Sequence, residues 1–176
     1  STYRTPLHLA ARASHSAVVQ TLVNAKAPIS MQDAGGYIPL HYACETGDCA
    51  TVQILLNAKS SVNVEAERRR TPLHEAASFG HGQVVKMLID AKADLDVFNK
   101  CGDHPLHLAA REGDVAAVKA LLDAKACVDI KDLCSSSRAL HKAAYGRHCG
   151  VIQILLDAKA DVNNPDSSGG TPLHDA

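Results

Sequence analysis

The chain is 176 residues long, 46% apolar and 21% charged, with a net charge of −1, the composition of a folded soluble protein. Near-neutrality gives no global attraction to nucleic acid or acidic lipid, so any electrostatic preference must be local. The longest apolar runs are far too short to cross a bilayer, and no signal peptide is readable, so membrane insertion is not expected.

Taken in chain order, one short pattern organises the sequence. Near-copies begin at Thr5, Ile38, Thr71, His104, Arg138 and Thr171, at intervals of 33, 33, 33, 34 and 33 residues. Such a period marks a stack of supersecondary units rather than one central core. The third copy explains the chemistry of all six. Thr71 stands where its hydroxyl can cap a helix, and Pro72 suits the first helical position, where its missing N–H costs nothing. Leu73 begins the buried face, and the small Ala76 and Ala77 let a neighbouring helix come close. Gly80 ends that helix. From Gln83, Val84, Val85, Leu88 and Ile89 form one apolar face of a second helix. Asp94 to Asp103 is polar, lacks periodicity and carries Gly102 before the next copy, so it predicts a turn or finger. Residues 1–176 therefore read as one all-α solenoid domain of helix-turn-helix units, the last incomplete. The chain starts at Ser1 just before a helix and stops at Ala176 inside one, as an excised fragment would.

The copies TPLHLAA at Thr5, IPLHYAC at Ile38, TPLHEAA at Thr71, HPLHLAA at His104, RALHKAA at Arg138 and TPLHDA at Thr171 resemble the ankyrin repeat along the whole chain. The resemblance implies L-shaped units with protruding hairpin-like fingers. It also implies a concave groove, lined by finger tips and first helices, that binds other proteins. In the same way it implies that the motif histidines, His8, His41, His74, His107, His141 and His174, hydrogen-bond between neighbouring turns. The chain departs from the family in two ways. Where glycine usually follows the second helix, Lys26, Lys59, Lys92, Lys125 and Lys159 stand at a position expected to be left-handed, which costs a residue with a Cβ about 1 kcal/mol or more. Lysine partly compensates by placing positive charge at a helix C-terminus, so a row of exposed lysines is expected along one edge. The fifth unit is irregular. It has one extra residue within Leu133–Ser137, Arg138-Ala139 in place of Thr-Pro, and Arg147 where a glycine normally ends the first helix. It should be the weakest interior unit.

Ten histidines and six cysteines invite a metal or catalytic reading. Nine of the histidines occupy repeated slots, and the motif histidines recur about 10 Å apart, too far for two to share one zinc. His104, in a capping slot near Cys101, lacks the paired spacing of a zinc site. No phosphate loop, paired carboxylates or oriented nucleophile is present, so no enzymatic activity, metal or cofactor is expected. The cysteines fall in slots that do not pair, which predicts reduced thiols and an intracellular protein, cytoplasmic or nuclear.

Partner-binding residues are expected where the copies differ. Tyr37, Tyr42, Phe79 and Tyr145 occupy slots that should face the groove, and aromatic side chains carry much of the energy at interfaces. Glu67-Arg68-Arg69-Arg70 concentrates charge on one finger, with Arg69 where a turn glycine is usual. Glu45, Glu75 and Arg111 belong to the same strip. Arginine grips carboxylate or phosphate with two hydrogen bonds, so Tyr37, Tyr42, Glu45, Arg68, Arg70, Glu75, Phe79, Arg111 and Tyr145 predict a site for a protein partner, including an acidic or phosphorylated peptide. The neighbouring glutamates oppose nucleic acid. A single copy is expected to suffice. The alternative is a structural spacer or regulatory arm of a larger channel, kinase or ligase adaptor.

Overall fold

A computed structural model describes residues 3–176; Ser1 and Thr2 lie outside the described residues. Ten helices form five successive pairs: α1 Pro6–Arg12 with α2 Ser16–Asn24, α3 Pro39–Thr46 with α4 Cys49–Asn57, and α5 Pro72–Ser78 with α6 Gly82–Asp90. The chain continues with α7 Pro105–Glu112 and α8 Val115–Asp123, then α9 Ala139–Tyr145 and α10 Cys149–Asp157. First helices pack in the order α1, α3, α5, α7, α9, and second helices in the order α2, α4, α6, α8, α10. The core is therefore a continuous seam between two helical layers, with each unit touching only its neighbours.

The motif leucines Leu7, Leu40, Leu73, Leu106 and Leu140 are all buried in that seam, and so are the small residues Ala43, Ala76, Ala77, Ala109, Ala110 and Ala143. Each anchor backbone N–H, at Thr5, Ile38, Thr71, His104, Arg138 and Thr171, donates to Nδ1 of the histidine three residues on, at 3.1–3.2 Å. That leaves Nε2–H as the proton-bearing nitrogen. It donates to Tyr37 O from His8, Val64 O from His41, Asp103 O from His74, Ile130 O from His107 and Gly170 O from His141, at 2.9–3.3 Å. One neutral imidazole thus ties each helix start to the following finger. Burial pushes His74 and His107 down to about 4, and lowers His41 as well.

All five helix-ending lysines are left-handed, with φ of 63° at Lys26, 68° at Lys59, 67° at Lys92, 73° at Lys125 and 70° at Lys159, and all five are exposed. Fingers are tight turns, and no strand occurs among the described residues. Four close through a backbone bond spanning four residues, from Asp33 N to Tyr37 O, Ala66 N to Arg70 O, Asn99 N to Asp103 O and Asp166 N to Gly170 O. The fifth closes one residue later, from Asp132 N to Ser137 O at 2.8 Å, and so absorbs the insertion. Side-chain Oδ1 atoms of Asp33, Asn99, Asp132 and Asp166 accept backbone N–H groups inside their own turns. Ala66 has no such acceptor, and its finger contains two consecutive left-handed residues, Arg68 and Arg69. Residues 172–174 form a turn rather than the expected helix; so few residues close too few i→i−4 bonds to hold a helical turn. All six cysteines are free, with Cys44 buried.

Candidate functional site

Tyr37, Tyr42, Glu45, Arg68, Arg70, Glu75 and Phe79 line one groove of about 490 Å³ on the finger and first-helix side, together with Arg4, Arg12, Glu67 and Ser78. Arg111 and Tyr145 do not join it. They border a separate cavity of about 270 Å³ with His141 and Lys142. Tyr3, at the start of the same strip, is exposed and does not line the groove. An apolar cavity of about 290 Å³ lies between the fifth pair and residues 171–176, lined by Leu140, Ile152, Leu156 and Leu173, and belongs to the seam between units.

Inside the large groove the seven predicted residues that line it divide by how they are held. Tyr42 is only 5% exposed. Its hydroxyl donates to Asp33 Oδ2 at 2.6 Å, and Arg4 Nε donates to both groups, at 3.0 and 3.3 Å. Arg4 also lies 5.1 Å from the Tyr42 ring centre. Burial and the bond to Asp33 push the Tyr42 hydroxyl up to about 12. Burial raises Asp33, but donors from Tyr42, the Tyr37 and Gly35 backbone and Arg4 outweigh it and hold the carboxyl below its usual range. Arg70 grips Glu75 through two parallel bonds, Nε to Oε1 at 2.7 Å and a terminal nitrogen to Oε2 at 2.8 Å, and Glu75 is buried. Tyr42, Arg70 and Glu75 thus form the floor of the groove, already partnered within the solenoid.

The arginine run separates into three roles. Arg69 bonds Glu65 at 3.1 and 3.3 Å and covers the Phe98 ring at 4.3 Å, outside the groove. Arg70 belongs to Glu75. Arg68, exposed and left-handed at φ 59° and ψ 25°, makes no ion pair among the described residues. Its carbonyl accepts Lys100 N–H at 2.8 Å, and Glu67 N–H donates to Gly35 O at 2.7 Å, so both neighbouring fingers hold this tip in place. Arg12, Glu45 and Glu67 likewise have no ion-pair partner among the described residues. Phe79 is half exposed and stacks on His81, whose Nε2–H donates to Glu45 O at 3.0 Å.

Sequence reasoning misses three residues of the groove and its floor, Arg4, Arg12 and Asp33. Slot arithmetic points to two of them, since Arg4 directly precedes its anchor as Arg70 does, and Arg12 lies seven residues after its anchor as Glu45 does. Asp33 acts through a turn that only the folded chain defines. In the smaller cavity, Lys142 bonds the buried Asp132 at 2.7 Å and lies 3.7 Å from Asp103, while Arg111 reaches Asp103 at 3.9 Å.

Among the described residues no three histidine, cysteine or acidic side chains gather as a metal site would require. No helix is long and apolar enough to cross a membrane. What the fold and groove define is a solenoid of helix pairs that presents a continuous surface rather than an enclosed pocket. The family description for three copies of ankyrin repeats matches residues 1–66 and 48–132, and that for many copies matches residues 121–176. The chain belongs to the ankyrin-repeat family, whose repeats are generally non-catalytic protein-interaction modules. No curated protein matches it.

Proposed function

We propose that this chain is a non-catalytic binding module that takes a segment of a protein partner in the groove that spans its first three units, with an acidic or phosphorylated side chain set against Arg68. One observation carries the reading: Arg12 and Arg68, unpaired among the described residues, border the same groove as the half-exposed Phe79. Free guanidinium groups can take carboxylate or phosphate without first breaking an internal pair, and Phe79 offers apolar area with few rotors to freeze. Tyr42, Arg70 and Glu75 shape the floor beneath them.

The experiment is a pull-down from cell lysate with the wild-type chain and with Arg68→Ala/Phe79→Ala. Both side chains are at least half exposed or unpartnered, so helicity by circular dichroism should be unchanged. Specific partners of the wild type should be lost. Undiminished capture by the folded double variant would show that this groove is not the binding face.

A further inference from the structure

The groove contains more arginine than it can offer. Arg4 is committed to Asp33 and Tyr42, and Arg70 to Glu75. The charges without partners among the described residues are Arg12 and Arg68 on one side of the ledger, Glu45 and Glu67 on the other. Their arrangement is ordered. Arg12 and Glu45 occupy the same slot, seven residues after Thr5 and Ile38, on successive first helices α1 and α3. Packed neighbouring helices lie about 10 Å apart, so this wall presents a positive and then a negative charge at that interval. On the facing finger Glu67 and Arg68 are adjacent and supply both signs again.

A uniformly acidic segment would meet repulsion from two carboxylates wherever it met attraction from two guanidinium groups. Charge complementarity therefore calls for a segment of both signs. An extended polyproline-II chain repeats its side-chain direction every three residues and advances about 9 Å in doing so, which matches the helix spacing. We infer that the groove recognises an extended partner segment carrying an acidic and a basic side chain three residues apart, the acid against Arg12 and the base against Glu45, with Glu67 and Arg68 adding charge of both signs from the finger. The inference rests on the protein-binding reading above and specifies the chemistry of its partner.

The probes are three sets of fluorescein-labelled peptides of about 12 residues, enough to span the groove at about 3 Å per residue. All have equal proline content, and they carry acid and base three apart, glutamate only or lysine only. Binding is read by fluorescence anisotropy at low and at physiological salt. The mixed set should bind tightest. Glu45→Lys should weaken it by about tenfold, the loss of one well-placed charge contact. Arg12→Glu/Glu45→Lys should switch preference to peptides with the order of charges reversed. Tightest binding by the all-glutamate set, strengthened by Glu45→Lys, would overturn the inference, and so would equal or absent binding across the sets. If the all-glutamate set wins while Arg68→Ala/Phe79→Ala still loses the cellular partner, the binding face stands and only the two-sign chemistry falls.

Discussion

Replacing Arg70 by Met tests whether the centre of the groove is a floor or a contact. The substitution keeps much of the aliphatic stem and removes both bonds to Glu75, at 2.7 and 2.8 Å. Glu75 is only 5% exposed, and Cys44, fully buried, lies close enough for the carboxylate to raise its thiol further after burial itself. A carboxylate stranded there has neither water nor cation, and breaking a buried pair from one side costs about 3–5 kcal/mol. Removing both partners costs far less, because two apolar groups leave no uncompensated charge. Urea denaturation of the wild type, Arg70→Met, Glu75→Leu and the double variant gives the coupling directly. The single Arg70 variant should lose roughly 3 kcal/mol or more and the double variant should recover most of it. Amide exchange should rise in α5 first, since stability in a solenoid is local. A loss below about 1 kcal/mol, the value of an exposed pair, would refute the burial argument and return Arg70 to the list of residues available to a partner.

Other outcomes follow from the same geometry. His74 and His107 are held near 4 when folded against about 6.5 in an unfolded chain, so the unfolded state binds more protons between those values. Their stabilising contribution is complete above pH 6.5 and falls as pH drops toward 4, by about 3 kcal/mol each; an unchanged urea midpoint between pH 7.5 and 4.5 would contradict it. Lys92→Gly, at φ 67° and exposed, should stabilise by a few tenths to about 1 kcal/mol, relief of left-handed strain less the lost helix-end charge; a lower melting temperature would contradict that. Gly102→Ala should destabilise the fingers at 99–103 and 132–137 by about 1 kcal/mol or more, because the added carbon would collide with the Leu133 backbone and φ is 80°. Equal exchange protection in variant and wild type at those fingers would show that they can separate freely.

The repeat was legible because each copy states its own local physics. Cap, proline, leucine, histidine and paired alanines each favour the same helix start, and the fixed interval leaves no other register. The five lysines could be assigned a left-handed backbone for the same reason, since one slot repeated five times has one geometry. The finger before α9 shows where local reading stops. Its extra residue is visible in the sequence, yet closure from Asp132 to Ser137 and the ion pair from Lys142 to Asp132 depend on which acceptors the folded turn brings together. The groove behaves likewise. Arg68, Arg69 and Arg70 are three like charges in a row, but two consecutive left-handed residues turn their side chains to different sides, one free, one over Phe98 and one onto Glu75. Tyr42 occupies a slot that faces the groove, and Asp33, nine residues before it, draws its hydroxyl into the floor.

The central claim concerns a face, and the measurement that addresses it most directly is hydrogen–deuterium exchange on the chain with and without its captured partner. Protection is expected at Tyr37, across Glu67–Arg70 and around Ser78–Phe79, with the exposed sides of α2, α4 and α6 unchanged. Protection confined to those second helices, with the groove exchanging as in the free chain, would contradict the account.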